Sequence, residues 1–284
     1  MNTTTSKHAP LAAPSRVLGN LHLPLTEAQI EEFGRELDAL REEVMDSRGE
    51  RDRRYILRLI KFQRAMALTA RVVMLGSLTL LPLMAPFVGL LALGAVLLGL
   101  AKILENMEIG HNILHAQWDW MKDPNIQSST WEWDHMSPSD RWMHSHNVEH
   151  HTWTNVMGKD LDVGYGLLRV TPLQKWKPRH RLQPLYAFLL MLLFEPAIAI
   201  HERAINEARA GRRSWAEIKP LTSHIARKVR RQAIKDYLAW PLLAAVLALP
   251  MLSVGGPLWA FLGVAGANLA ANVIRNIWTF SIIF

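Results

Sequence analysis

This 284-residue chain has twelve histidines and no cysteine, and six of those histidines fall in two clusters. The first is His111-Asn-Ile-Leu-His115. Residues four apart share one face of a helix, so both imidazoles can converge on one metal ion. The second cluster, HSHNVEHH, runs from His144 to His151. His146 and His150 again share a face, and helical geometry turns His151 about 100° further round, towards His144. One helix can then present ligands to two metal ions. The lack of cysteine excludes disulfides, thiol nucleophiles and cysteine-held iron–sulfur clusters.

Neutral imidazole suits zinc, copper, iron and nickel. The first cluster lacks the glutamate of an H-E-x-x-H zinc protease. Five or six histidines also exceed the three protein ligands of a catalytic zinc. Two iron ions activating dioxygen account best for the number. His144 and the isolated His201 are candidate additional ligands. Glu105 and Glu108 lie about a turn before His111, where they could brace the ligands or simply decorate the helix surface. Trp118, Trp120, Trp131, Trp133, Trp142 and Trp153 crowd around the two clusters, as in an aromatic belt at a membrane interface.

The elements that must position these groups are membrane helices. Residues 72–101 and 237–274 carry no charge, and each block exceeds the roughly 20 residues of one span. Pro82 and Pro86 interrupt the first, Pro250, Gly255, Gly256 and Pro257 the second, so each reads as a helical hairpin. The expected fold is all-α and integral to the membrane, with two transmembrane hairpins, four spans, and a cytoplasmic helical region bearing the histidines. All 32 Lys and Arg lie outside the two blocks. By the positive-inside tendency the N-terminus and both clusters face the cytoplasm. The net charge of +7 suits anionic lipid headgroups and needs no nucleic acid. No cleavable signal is expected, because the first 25 residues lack an apolar core.

The organisation expected along the chain is therefore a cytoplasmic region 1–65, with a disordered start. A capping box at Thr26 and Gln29 opens an amphipathic helix there, and a basic stretch from Arg48 to Arg64 follows near the membrane surface. The first hairpin covers 66–104, its second helix running on past Lys102. The histidine-bearing region covers 105–236, with a short apolar helix near 182–200 lying at the interface. The second hairpin covers 237–278, and 279–284 begins a further C-terminal region. With the span starting near Phe87, His111 and His115 sit roughly 7–14 Å beyond its cytoplasmic edge.

From about Lys102 onward the chain resembles the membrane fatty acid desaturases. The stretches that carry the resemblance are GHNILHAQWDWM, HSHNVEHHTWTNVMGKDLDVGYG and NVIRNIWTFSIIF. In that family three histidine boxes hold a di-iron centre. His111 and His115 match the first box, and His146, His150 and His151 the second. The third, H/Q-x-x-H-H, follows the last span in the family. No such motif occurs after His151, so the chain is read as stopping short of it. A polypeptide truly lacking the third box would miss several ligands and be inactive; if only the sequence at hand is incomplete, the activity stands. The resemblance also draws attention to Asn155, Asp160 and Asp162, since ligating histidines commonly donate their second N–H to a carboxylate.

The resemblance implies an enzyme that uses dioxygen and two iron ions to introduce a double bond into an acyl chain. The acyl group would be carried on coenzyme A, a carrier protein or a phospholipid. No flavin or nicotinamide fingerprint is present, so electrons are expected from an external donor, a ferredoxin-like protein or a cytochrome. The expected location is a bacterial inner membrane. Three other readings stand beside this one. A membrane hydroxylase of alkanes or lipids would use the same boxes. A carboxylate-bridged di-iron protein would use Glu108-x-x-His111 and Glu132-x-x-His135. A metal transporter would need polar groups within the spans, where the apolar blocks offer Asn268, Asn272 and a few hydroxyls.

Overall fold

The computed structural model describes residues 25–160, 162–201, 208, 211 and 214–283. The expected disorder of 1–25 therefore falls, but for its last residue, outside them. The chain divides into two compact units at Asp52 and Arg53. Helix α1 (Glu27–Ser47) belongs to the first. Its N-terminus carries the expected capping box: Gln29 N–H donates to Thr26 Oγ1, and Thr26 N–H to Gln29 Oε1 at 2.8 Å.

All regular structure among the described residues is helical. Helix α2 (Glu50–Gly76) runs into a short 3-10 turn, Ser77–Leu80. Helix α3 (Met84–Leu114) follows the proline-marked break and continues past Lys102, its stretch Leu104–Gly110 wound as a π-helix. Helix α4 (Ser139–Met143) extends through a second π-helical stretch, His144–His150, into a last turn, His151–Trp153. Helices α5 (Gln183–Leu192) and α6 (Phe194–His201) are bent by 98°. Helix α7 (Trp215–Ile234) passes through a π turn, Lys235–Ala239, into α8 (Trp240–Leu247). A 3-10 segment, Leu249–Val254, and Gly255 at φ 68° make the reversal before α9 (Gly256–Ile283).

Helices α3 and α9 are each long and apolar enough to cross a membrane, and the bent α5–α6 pair would make a third span if it counts as one. The bend falls at Leu193, ahead of Glu195 and Pro196, which both sit in the first turn of α6. There a proline's missing N–H costs no helical bond. One apolar core gathers Ala70 and Met74 of α2, Phe87, Leu91 and Leu98 of α3, Ala244 of α8, and Val264 and Ala271 of α9. Helices in lipid gain little from hydrophobic burial against each other and rely on close packing at small residues. Gly99 of α3 shows this: a Cβ there would lie 2.9 Å from the Ile274 side chain of α9. A second cluster, Ile56, Ile60, Ile109, Ile113 and Ile126, seats the far end of α3 against α2 and so fixes where His111 emerges.

Candidate metal centre

The two histidine clusters meet. His111 and His115 come from the final turn of α3, with their Nε2 atoms 3.1 Å apart. His146 and His151 come from α4, their Nε2 atoms 3.3 Å apart. Across the helices the His115 ring centroid lies 5.2 Å from that of His146 and 4.8 Å from that of His151. His150 stacks beside His146 at 5.1 Å. Potential ligand atoms of His111, His115 and His146 all lie within 4.8 Å of one another, as do those of His146, His150 and Asp162.

The π-helical winding of 144–150 corrects one expectation of the sequence. An α-helix would turn His151 towards His144. A π-helix closes i to i+5 hydrogen bonds and places residues five apart on one face. His151 consequently faces His146, while His144 turns outward and meets Glu149 at 3.4 Å. His144 lies outside the imidazole cluster.

Asp160 is buried behind His150. Both of its carboxylate oxygens lie 3.1 Å from His150 Nδ1. It also accepts the backbone N–H groups of Asn155 at 2.8 Å and Asp162 at 2.9 Å. Burial alone would raise this carboxyl, but those N–H donors and His150 hold it below the usual range. A carboxylate at Nδ1 fixes the imidazole tautomer and leaves Nε2 free to ligate. Asp162 approaches His146 Nδ1 at 3.9 Å and His150 Nδ1 at 3.8 Å. Asn155 contributes its backbone, held at φ 62°. Burial, together with the His146 and His151 imidazoles, pushes His115 down to about 4. That keeps it neutral, the form that binds metal. Several imidazole nitrogens facing one another at about 3 Å suit a shared cation better than mutual hydrogen bonds, so the donor set fits a metal.

Tryptophans take a larger part than an interfacial belt. Trp142 stacks on His146 at 4.3 Å and meets His111 at 5.1 Å. Trp133 is buried, packs on Trp142 at 5.0 Å and donates Nε1–H to the Ser137 carbonyl.

Other candidates fall elsewhere. Glu108 is exposed on α3. Glu105 is buried, and one of its carboxylate oxygens has no hydrogen-bond partner. His201 lines the same cavity as the cluster, with Tyr165 edge-on at 5.4 Å, but joins neither ligand group. Glu132 pairs with Lys228 at 2.6 Å, so neither E-x-x-H glutamate reaches the imidazoles. The carboxylate-bridged arrangement is not assembled among the described residues.

Sequence reasoning missed the ionic network beneath the site. Asp236 lies 3.1 Å from Lys102 and 3.4 Å from Arg71, and accepts Asn272 Nδ2–H at 3.3 Å. Asp134 pairs with Lys102 at 3.3 Å and with Lys235. Glu195 pairs with Arg275 and accepts the Met136 N–H at 2.9 Å. Arg71 also donates to Asn268. These contacts, with Glu132 on Lys228, hold 132–136 against α3, α6 and α7. The available signal was charge at the very edges of the apolar blocks: Arg71, Lys102, Asp236 and Arg275.

A cavity of about 460 Å³ opens from the histidines, its other wall formed by Val163, Phe194, Ile198 and Ile283. Fold and site together define a helical protein with two or three candidate membrane spans and a clustered-imidazole centre beside an apolar cavity. The profile of the fatty acid desaturase family matches residues 85–281, and the chain belongs to that family. Over 260 residues it is 44% identical to the NADPH-dependent stearoyl-CoA 9-desaturase of Mycobacterium tuberculosis, an alignment covering 92% of this chain and 57% of the relative. The chain thus spans little more than half the length of that protein. Over 104 residues, 35% of this chain and 28% of the relative, it is 31% identical to the sn-1 linoleoyl-lipid 6-desaturase of Synechocystis. No solved structure matches it.

Proposed function

We propose that the protein is a membrane fatty acyl desaturase that removes two hydrogens from adjacent carbons of an acyl chain. The observation that carries this reading is the convergence of His111, His115, His146, His150 and His151, with His111, His146 and His150 lining a cavity that has an apolar far wall, in a chain of this family. Those five histidines would be ligands to two iron ions, with Asp160 and Asp162 orienting them from behind. Iron with dioxygen supplies the oxidising power to attack an unactivated methylene, which no side-chain acid or base possesses.

The protein's part is placement. Asp160 holds the His150 ring in register, and Trp142 and Trp133 wall one side of the cluster from water. Val163, Phe194 and Ile198 offer the apolar surface along which an acyl chain lies so that one C–C bond faces the metals. Two electrons from a separate carrier, a ferredoxin-like protein or a cytochrome, and two protons from water complete the reduction of dioxygen to two waters. The name of the mycobacterial relative favours an acyl-CoA substrate. The charge pattern supports four spans, formed by α3, α9 and the apolar parts of α2 and α8, with the histidines on the cytoplasmic side of a bacterial inner membrane.

The test is expression of the intact protein in a host fed saturated fatty acids, with lipid analysis by gas chromatography and mass spectrometry. A new monounsaturated chain is expected. A hydroxylated product without new unsaturation would favour the hydroxylase reading and overturn this one. Purified protein is expected to hold two irons per chain, lost when His111, His146 and His150 are changed to alanine.

A further inference from the structure

Helix α1 contains no buried residue. Ile30, Phe33, Leu37, Leu40 and Val44 recur at alternating spacings of three and four, and all are 49–58% exposed. Spacings of this kind define the a and d positions of a heptad, a narrower stripe than the face a helix turns to a globular core. A membrane surface is a poor partner. Between Glu27 and Ser47 eight residues are acidic and two basic, a net charge of −6, whereas helices that lie on anionic lipid carry a cationic polar face.

The flanking charges specify a partner. With Ile30, Leu37 and Val44 at a, and Phe33 and Leu40 at d, Glu36 and Glu43 occupy g while Arg41 occupies e. In two parallel helices in register, each g residue faces the e residue five positions later on its neighbour. Glu36 of one helix then meets Arg41 of the other. An antiparallel pair would set g against g, glutamate against glutamate. β-branched Ile30 and Val44 at a, with Leu40 at d, favour two strands.

We infer that α1 pairs with α1 of a second copy of this chain as a parallel two-stranded coiled coil. Three heptads are short for an isolated coil. Anchoring both copies in one membrane, with their N-termini on the same side, raises the effective concentration and removes much of the cost of association. The pairing is independent of the chemistry at the metal centre.

The absence of cysteine from this sequence suits disulfide cross-linking in native membranes, with the protein lacking the introduced cysteine as the control. Ile30→Cys at an a position is expected to form an interchain disulfide on mild oxidation, and Glu42→Cys, on the outward f position, to form severalfold less. In the Ile30→Cys background, Arg41→Glu should lower the cross-linked fraction severalfold by opposing like charges. Adding Glu36→Arg should restore it by recreating the pair with reversed signs. Cross-linking of Ile30→Cys no greater than that of Glu42→Cys overturns the proposal, and so does a double reversal that fails to restore it.

Discussion

Asn147 Nδ2 donates to the Leu114 carbonyl at 2.9 Å, tying the π-helical stretch of α4 to the last turn of α3. The bond satisfies a helix-terminal carbonyl that has no partner within its own helix. It also sets the spacing between the two histidine clusters. Asn147→Ala is expected to cost about 1–2 kcal/mol in stability and to lower iron occupancy, read by elemental analysis of the purified protein. Asn147→Asp should be at least as damaging, since a carboxylate cannot donate to Leu114. An iron content unchanged in both variants would show that the clusters meet without this bond.

Asp160 should matter more than Asp162, because it alone lies within 3.1 Å of His150 Nδ1 and collects two backbone N–H donors. Asp160→Asn is expected to weaken iron retention by about 10–100-fold, measured as loss to a chelator over time. Asp162→Asn should have a smaller effect, and the opposite order would assign the orienting role to Asp162.

Acid should destabilise the metal-free protein through His135. This residue is buried, accepts the Ser137 N–H on Nδ1 at 3.0 Å, and is pushed down to about 4 by burial, despite the nearby Glu195 carboxylate. An unfolded histidine titrates near 6.5. Between those values the unfolded chain binds the extra proton and the folded chain does not, so stability falls as pH drops from about 6.5 to about 4. The His135 contribution is on the order of 3 kcal/mol. Thermal unfolding at pH 7 and pH 4.5 checks it, and His135→Gln should shrink the difference, leaving the share of the similarly depressed His115. An equal acid shift in that variant would place the sensitivity elsewhere.

Asp236 is the anion between two buried cations, Lys102 and Arg71. Asp236→Ala leaves Arg71 without its carboxylate partner and Lys102 with Asp134 alone, and is expected to cost about 3–5 kcal/mol, seen as a large fall in melting temperature or in folded yield. The exposed pair of Glu32 with Arg35 provides the contrast, since Glu32→Ala should cost less than about 1 kcal/mol. Similar losses from the two variants would mean that the buried network carries little of the fold.

Packing between α3 and α9 gives a further check. Gly99→Val would drive a side chain into Ile274 and should destabilise by about 1–3 kcal/mol. Pairing it with Ile274→Ala should recover part of the loss in a thermal melt. No recovery would mean that the strain lies against the Ala271 backbone instead.

Composition and short-range pattern were enough to identify the apolar helices, the breaks at Pro82 and Gly255, the capping box at Thr26 and the histidines of both clusters. Each of these depends on a residue's own chemistry or on neighbours within about one turn. Tertiary structure decided how the clusters face each other. A π-helix and an α-helix differ only in which carbonyl an N–H finds, and that choice turned His151 towards His146 and His144 towards Glu149. It also decided that charges bounding the apolar blocks are buried partners rather than headgroup contacts, because Lys102 and Asp236 are 134 residues apart. Burying either ion alone would be prohibitive, and only the packing of α3 against α8 and α9 brings them within reach of each other.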